Sequence, residues 1–389
     1  SQSRQRVEEN CYRLLSYAAK WKQVDALAFN LGMTWDDPRR LAAACEQVIY
    51  DRFGAGNTVV PQAELRQRLK ALLDCPAEDS GPAIEAALVG ARQSGRVLFD
   101  SEENAYGMGP ALLERQVAMG ITRLLGLPAE KQFDLAGIVS AVEEAQGFML
   151  NPEQRMAVDL VAKHRFSVIT GGAGCGKTTV LRVVCEELEA QGYEVIQLAL
   201  AGKAVRRMVD ATGRKAQTIA SFVKAHKGLM ERQASPPEAS QCDAKLAVVI
   251  DEASMVDLIS FAAVLRTIGG RCKVVLVGDP NQLPPVGPGL ILHHLACGVV
   301  PHVHLGTTNR FGSDIAEVAN EVRDGRMPCL TANAAVALLE PEDPSHIAEM
   351  ATSLYLSDQS DAIVLCPSNA LVDEINKMIQ RRTTWNNQP

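Results

Sequence analysis

Apolar and polar residues alternate through the middle of the chain with two different periods. Apolar runs of strand length occupy 166–170, 194–199, 246–250 and 273–277. Between them, apolar residues recur with the period of a helix at 176–191, 202–211 and 257–267. Strands that alternate with helices are typical of a parallel sheet with helices on both faces, so the pattern predicts an α/β fold.

A second alternating stretch begins after about residue 300. It predicts helices near 313–324, 344–356 and 368–381, with a strand at 362–366. The chain ends soon after the last of these helices. We therefore expect only part of a second α/β domain.

The pattern of apolar residues in the first 50 positions predicts helices and no strands. The spacing of Val24, Ala28 and Leu31 indicates one helix closed by Gly32. Asp37 followed by Pro38 is a cap and first-turn pair that opens a second helix. A turn or linker is expected at 53–57.

Residues 58–108 predict two helices followed by two short strands. The helices are expected at 61–74 and 82–94, and the strands at 96–100 and 105–108. That order is typical of a winged helix, which contacts DNA in some proteins and other proteins elsewhere; both roles stay open. Two further helices are expected near 110–126 and 134–146.

These patterns divide the chain into five parts. They are a helical N-terminal region at 1–52, a winged-helix-like domain at 53–109, a helical linker at 110–146, a first α/β domain at 147–299 with an insertion near 223–245, and a partial second α/β domain at 300–389.

The composition is that of an ordinary globular protein. Hydrophobic residues make up 47% and charged residues 22% of 389 positions, with a net charge of −7. No apolar run reaches the roughly 20 residues that span a bilayer, and no secretory apolar core is present. The ten cysteines form no C-x-x-C pair, which favours reduced thiols in the cytoplasm over a zinc site or disulfides. The start without Met indicates a processed or trimmed chain.

The segment Phe166–Thr179 carries the strongest chemical signal. After the predicted strand, Gly171 to Thr178 fits G-x-x-x-x-G-K-[ST], a loop whose N–H groups and following helix N-terminus attract phosphates. Lys177 would reach the β- and γ-phosphates, and Thr178 would place a hydroxyl on Mg²⁺. The sequence therefore predicts a nucleoside triphosphate site. Cys175 in this loop is either a thiol of lowered pKa or a small residue that fits there.

Other polar residues follow the neighbouring strands. Asp251 and Glu252 end the strand at 246–250, where Asp251 is suited to hold Mg²⁺ and Glu252 to orient or deprotonate a water. Gln282 follows the strand at 273–277, where a neutral amide can sense the γ-phosphate. Arg310 opens the second domain and would stabilise charge on a transferring phosphoryl group; a plain surface role is the alternative.

Positive charge is concentrated in one stretch. Between Lys203 and Lys227 the chain has seven Lys or Arg and one acid, Asp210, a local charge of +6. Such a run is either a solvated helix face or a nucleic-acid contact, and its place among the motifs favours the second.

Six motifs in order resemble superfamily 1B DNA helicases, most closely the RecD-like (exonuclease V α-subunit) branch. They are LNPEQRMAV (150–158), GGAGCGKTT (171–179), ALAGKAVRRM (199–208), VVIDEASMVD (248–257), GDPNQLPPVGPG (278–289) and TTNRFGSDIAEVANEVRDGRMP (307–328). The resemblance implies a P-loop NTPase with two RecA-like motor domains, the second incomplete. It would couple ATP hydrolysis to movement on single-stranded DNA from 5′ to 3′.

The resemblance also implies a role for each matching residue. Gln154 would read the adenine edge, Gln282 would couple the γ-phosphate to DNA, and Arg310 would be an arginine finger. Lys177 and Glu252 would serve catalysis, and Thr178 and Asp251 would hold Mg²⁺. The implied phosphate-loop contacts are Gly171, Gly172, Ala173, Gly174, Cys175, Gly176, Lys177, Thr178 and Thr179. The implied DNA contacts are Lys203, Arg206 and Arg207, with Phe222 as a stacking platform or, alternatively, a core residue.

The sequence departs from the family pattern in places. Ala201 stands where relatives usually have Thr and Ala220 where they often have His, so the details of DNA contact stay open. The motifs expected downstream, which grip DNA and supply a further Arg, are absent, as is the small inserted barrel. The 223–245 insertion stands where relatives carry a strand-splitting pin.

We therefore expect an N-terminal portion of an ATP-dependent DNA helicase that works as a monomer on single strands and junctions. The alternatives are an ATP- and DNA-binding module without turnover and a non-helicase P-loop phosphotransferase. A role in repair, recombination or plasmid transfer stays open, as do partner subunits of an exonuclease complex.

Overall fold

The computed structural model describes residues 7, 9–17, 19–75, 78–127, 135–147, 149–226, 245–268, 272–307, 313–328, 330, 336–341, 343–357 and 362–385. Backbone contacts divide the chain into two units, Ser1–Arg310 and Phe311–Pro389. In the described parts, no helix combines the length and apolar character that crossing a membrane requires.

The first unit begins with short helices around one apolar core. A 3₁₀ helix at Cys11–Tyr17 precedes four α-helices: α1 (Trp21–Asn30), α2 (Pro38–Gly54), α3 (Gln62–Leu73) and α4 (Ser80–Ser94). Asp37 accepts a hydrogen bond from the Arg39 N–H and Pro38 occupies the first turn, as the sequence predicts. The helix continues into the predicted 53–57 linker as far as Gly54.

A small hairpin follows these helices. Strands β1 (Val97–Phe99) and β2 (Ala105–Gly107) pair antiparallel, with Leu98 opposite Tyr106. The order of α3, α4, β1 and β2 is the one expected of a winged helix. Helices α5 (Met108–Leu125) and α6 (Leu135–Gln146) then lead to the main sheet.

The main sheet alternates parallel strands with helices. Its elements in chain order are α7 (Pro152–Lys163), β3 (Phe166–Gly171), α8 (Lys177–Ala190), β4 (Glu194–Ala199), α9 (Gly202–Thr212), β5 (Ala216–Thr218), α10 (Ile219–Ala225), β6 (Leu246–Ile250), α11 (Leu258–Thr267), β7 (Lys273–Gly278), α12 (Ile291–Leu295) and β8 (His302–Leu305). The six described strands lie in the order β5-β4-β6-β7-β3-β8, all paired parallel. The α/β prediction is confirmed.

Successive strand residues point to opposite faces, and both faces are covered. Val248 and Val274 pack with Phe261 of α11 on one face. Their neighbours Val249 and Val275 pack with Val184 of α8 on the other. Because both faces are buried, these strands are continuous apolar runs rather than alternating ones.

The second unit shows helices only in its described residues. They are α13 (Ser313–Arg323), α14 (Ile347–Ser357), which a 3₁₀ turn at Pro344–His346 precedes, and α15 (Asn369–Trp385). The predicted strand at 362–366 is wrong, since these residues are described without strand pairing and Ile363 and Leu365 are 80% and 85% exposed. A strand requires a neighbour to satisfy its N–H and C=O groups, and no described residue pairs with this segment.

The loop after β7 is anchored to the N-terminal helical region. The Gly289 N–H donates to the Gly56 carbonyl at 3.1 Å, and the Leu258 N–H donates to the Pro288 carbonyl at 2.8 Å. Gly289 has φ +90°, and a Cβ there would lie 2.8 Å from Leu258 Cβ and 3.6 Å from Thr58 Cγ2. Only glycine fits both this backbone conformation and this close approach.

This anchor predicts that Gly289→Ala destabilises the chain more than Gly298→Ala does. Gly298 has nearly the same conformation, φ +86°, but a Cβ there would meet no atom within 4 Å. We expect about 1 kcal/mol of backbone strain at Gly298 and about 2 kcal/mol more at Gly289 from the clash. Urea unfolding of both variants measures the difference, and equal losses would contradict the packing at Gly289.

Candidate nucleotide-binding site

The predicted site residues lie where three neighbouring parallel strands end. Ile250 of β6 is opposite Leu276 of β7, and Gly278 of β7 is opposite Thr170 of β3. The phosphate loop therefore leaves the same edge of the sheet as Asp251 and the 279–289 loop. Ligands of open α/β sheets bind at this edge.

Glycine shapes the phosphate loop. Gly174 and Gly176 have φ values of +81° and +83°, and α8 begins at Lys177 with no side chain capping its N-terminus. A Cβ on Gly176 would fall on Gln154 Nε2. The first-turn N–H groups of α8 are thus available to an anion at the positive end of the helix.

Lys177 lies inside the loop. Its Nζ donates to the carbonyls of Gly171 at 2.6 Å and Gly172 at 2.8 Å. A Cβ on Gly172 would meet no atom within 4 Å, so there is open space beside this part of the loop. Thr178 next to it is exposed. An ammonium group, open N–H groups and a hydroxyl are the donors that a triphosphate with Mg²⁺ requires, so these residues fit that ligand.

The surroundings of Cys175 distinguish between the two predicted roles, a thiol of lowered pKa and a small residue that fits the loop. The thiol is 1% exposed and donates to the Gly172 carbonyl at 3.0 Å. Burial raises its pKa, although Lys177 acts in the opposite direction. The lowered-pKa hypothesis is therefore wrong, and Cys175 is a small buried residue that packs beneath Gly171.

Asp251 and Glu252 stand at the end of β6. The Glu252 N–H donates to Asp251 Oδ1 at 2.8 Å, and Glu252 has φ +52°, unusual for a residue with a side chain. Burial raises the pKa of Asp251 to about 6, while Lys177 lowers it in part. A carboxylate held in such surroundings gains from a bound cation, which suits the Mg²⁺ role.

Gln282 is exposed. Its backbone is held by Asp279, a buried residue that the sequence analysis did not single out. Asp279 is 7% exposed; its Oδ1 accepts the Asn281 N–H at 3.0 Å and its carbonyl accepts the Gln282 N–H at 3.1 Å. Asp279 directly follows a buried strand, as Asp251 does, and this position was the sequence signal that could have identified it. Asp279 thus fixes the start of the loop that carries Gln282.

Gln154 lies against the phosphate loop. It forms a capping box at the start of α7, where its N–H donates to Asn151 Oδ1 at 2.8 Å and its Oε1 accepts the Asn151 N–H at 3.0 Å. Its Nε2 donates to the Cys175 carbonyl at 3.4 Å. Gln154 is therefore close to the loop, while adenine reading stays a prediction.

The basic candidates lie on α9, which follows β4 at the same edge of the sheet. Lys203, Arg206 and Arg207 are exposed, and none forms an ion pair with another described residue. Arg214 from the same run donates to both carboxylate oxygens of Glu189, at 2.7 and 2.8 Å. Within the described part of the charge run, the exposed residues are therefore Lys203, Arg206 and Arg207 on α9, together with Lys215 and Lys224 beyond it.

The two remaining predicted site residues are Phe222 and Arg310. Phe222 is fully buried in the core against one face of the sheet, so the stacking role is withdrawn and the core alternative holds. Arg310 lies outside the described residues, as does 227–244, which is most of the insertion that stands where relatives carry a pin.

Family comparisons agree with this geometry. The model described as "AAA domain" matches residues 149–349, and the model described as "ATP-dependent RecD2 DNA helicase HHH domain" matches residues 1–59. The chain belongs to the AAA-domain family, among the RecD-like helicases. The second match covers the helical region predicted at 1–52 and extends to residue 59.

Curated relatives support the same family. The ATP-dependent RecD2 DNA helicase of Deinococcus radiodurans is 32% identical over 276 residues, which cover 68% of this chain and 37% of the relative. The RecBCD enzyme subunit RecD of Mycolicibacterium smegmatis is 29% identical over 283 residues, which cover 59% and 50%. This RecD-like chain thus spans half or less of the length of these two relatives. Among solved structures, the Pif1 helicase of Candida albicans has a TM-score of 0.36 and 22% identity over 62% of this chain and 61% of that chain.

The pKa of Asp251 predicts how stability depends on pH without Mg²⁺. Its folded pKa of about 6 lies above the ordinary value of 3.8, so ionisation costs folding free energy. That cost grows as pH rises from about 4 to about 6 and is constant above. Asp251→Asn should therefore be more stable than wild type at pH 8, by a margin about 1 kcal/mol larger than at pH 5.

Urea unfolding in EDTA at the two pH values measures this margin. Asp210→Asn, which removes an exposed carboxylate on α9, is the matched control and should show no such growth. A margin for Asp251→Asn that stays flat between pH 5 and pH 8 would contradict the burial of the charge.

Proposed function

We propose that this chain binds Mg²⁺-ATP and hydrolyses it as the N-terminal part of a helicase that moves on single-stranded DNA from 5′ to 3′. The observation that carries the proposal is that Lys177, on the helix that follows β3, and the partly buried Asp251, at the end of β6, lie at the same edge of the parallel sheet. RecD-like family membership supports the direction and the substrate. A phosphate loop alone would support only nucleotide binding.

The residues divide the chemistry among them. Lys177 would exchange its bonds to the Gly171 and Gly172 carbonyls for bonds to phosphate oxygens. Thr178 and Asp251 would hold Mg²⁺, which when bound supplies positive charge to the phosphate oxygens. Glu252 would orient the attacking water and accept its proton. Gln282, on the loop that Asp279 holds, would sense the γ-phosphate.

The remaining roles rest on the family resemblance. Gln154 would read adenine after giving up its contact with the Cys175 carbonyl. Arg310 would act as an arginine finger and lower the barrier to phosphoryl transfer by stabilising charge. The exposed face of α9 would follow DNA phosphates, since Lys203, Arg206 and Arg207 have no acidic partner among the described residues.

The proposal also covers the domain organisation, the oligomeric state and the cellular location. We propose the five-part division of the chain given by the sequence, action as a monomer at single-strand/double-strand junctions, and a cytoplasmic location. The described cysteines are all free thiols, which fits a reducing compartment. Repair and recombination are both compatible with such an activity.

Lys177→Ala tests the nucleotide site. Loss of the ammonium group should lower ATP turnover by at least about 100-fold, because it removes charge stabilisation of the transferring phosphoryl group. Lys163→Ala, which removes an exposed lysine on α7, is the matched control and should leave turnover unchanged. The measurement is ATP hydrolysis with and without a single-stranded oligonucleotide.

Other outcomes of this assay identify the alternatives. Tight ATP binding by wild type without turnover would indicate a binding module. Turnover that DNA does not change would favour a phosphotransferase. Substantial residual turnover in Lys177→Ala would refute the site itself.

The basic face of α9 predicts salt-dependent binding. Arg206→Ala and Arg207→Ala should each weaken oligonucleotide binding across sequences and reduce the slope of log K against log salt by about 0.7. Arg115→Ala removes an exposed arginine from α5 and should leave the slope unchanged. Fluorescence anisotropy over a salt series measures the slopes; equal slopes for all three variants would exclude α9 as the DNA track.

A further inference from the structure

The loop that carries Gln282 begins at the buried Asp279 and ends against the start of α11. A Cβ on Gly287 would fall on the carboxylate of Asp257, the residue that caps the N-terminus of α11. Gln282 lies in the exposed stretch between these two ends. The position of the loop end therefore bears on the position of Gln282.

A turn of the N-terminal helical region contacts this loop end. The Gly56 carbonyl accepts the Gly289 N–H at 3.1 Å, and a Cβ on Gly56 would lie 4.0 Å from the Gly287 carbonyl oxygen. Thr58 belongs to the same turn, and a Cβ on Gly289 would lie 3.6 Å from its Cγ2. The loop end is therefore in contact with both α11 and the N-terminal region.

The turn is fixed by hydrogen bonds on both sides of Gly56. Gly56 has φ +96° and ends α2 in a Schellman motif, whose outer hydrogen bond runs from the Asn57 N–H to the Arg52 carbonyl at 2.9 Å. Val60 then exchanges two hydrogen bonds of 2.9 Å with Ala105 of β2. The Gly56 carbonyl is thus presented to Gly289 from a braced segment.

The stretch between Gln282 and the loop end has few free backbone angles. Pro284 and Pro285 follow Gln282 after a single residue. A proline ring fixes φ near about −65°, and the residue before a proline is confined to extended conformations. Few angles are left to absorb a displacement of 287–289 before it reaches Gln282.

We propose that Gly56 is a positioning residue for Gln282. By accepting the Gly289 N–H from a braced turn, it keeps the loop end in place and so sets where the Gln282 amide meets the γ-phosphate. The N-terminal region contributes to ATP turnover through this contact. The role rests on the proposed ATP hydrolysis. No motif role assigned above includes Gly56 or its turn.

Amide hydrogen exchange tests the contact independently of activity. Gly56→Ala puts a side chain on left-handed backbone, so the turn should relax and rotate its carbonyl away from Gly289. Exchange at the Gly289 N–H should then be about tenfold faster, because this amide loses its acceptor. Gly56→Asn should stay close to wild type, since Asn tolerates left-handed backbone better than Ala does.

Gly32→Ala is the matched control for backbone strain. Gly32 follows another N-terminal helix, α1, with φ +83°, and a Cβ there would meet no atom within 4 Å. The strain should be similar to that of Gly56→Ala, but exchange at Gly289 should not change. Unchanged exchange at Gly289 in Gly56→Ala would overturn the proposal.

ATP hydrolysis by the 389-residue chain tests the role. Gly56→Ala should lower kcat about fivefold while KM for ATP stays within about twofold, since positioning acts on the transition state rather than on binding. Gly56→Asn should restore most of the loss, and Gly32→Ala should leave kcat unchanged. In a Gln282→Ala background, Gly56→Ala should have little further effect on kcat, because the side chain that it positions is gone.

The outcomes separate this role from the function it depends on. Faster exchange with unchanged kcat, or losses that multiply in the double variant, would overturn positioning and leave the proposed hydrolysis intact. A wild-type chain without turnover would overturn the proposed hydrolysis together with the positioning role of Gly56, while the exchange result would still decide whether the contact exists.

Discussion

The parallel registers of β3, β6 and β7 determine where the chemistry of this chain takes place. Parallel strands deliver their carboxyl ends to one edge, so the phosphate loop, Asp251 and Asp279 arrive together although they are far apart in sequence. The registers depend in turn on two apolar cores, one against each face of the sheet. A slip of one residue would exchange the faces of a strand and move its terminal side chain away from the site.

Charge at this edge is balanced by contacts that a ligand can replace. Lys177 donates to two loop carbonyls, and burial opposes the ionisation of Asp251. Phosphate oxygens would offer Lys177 stronger, charge-assisted acceptors than carbonyls. A divalent cation would stabilise the carboxylate of Asp251 against its desolvation. Both groups therefore gain from Mg²⁺-nucleotide more than a solvent-exposed lysine or aspartate would.

The sequence predicted the elements of the sheet because apolar runs and helical periods have local causes. It also placed Asp251 directly after a strand and Lys177 and Thr178 at the start of the helix that follows β3, since their spacing follows from these elements. Prediction failed where a long-range partner decides the outcome: 362–366 has strand-like residues but no described neighbour to pair with. The hydrogen bonds that Glu153 accepts from the Gly306 and Thr307 N–H groups were not predicted for the same reason, because these donors are 153 and 154 positions away. Phe222, the single aromatic residue predicted as a possible stacking platform, is a buried core residue.

The helix after the phosphate loop is joined to the basic helix by polar contacts. Arg182 of α8 donates to the Ala211 carbonyl near the end of α9, at 3.1 Å from Nε. Gln197 of β4 donates to Thr212 Oγ1 at 2.8 Å, and Arg214 pairs with Glu189 of α8. These bonds connect rigid elements, so a shift of α8 must either move α9 with it or break them. The helix after the phosphate loop and the basic helix are therefore joined by direct polar contacts within the first unit.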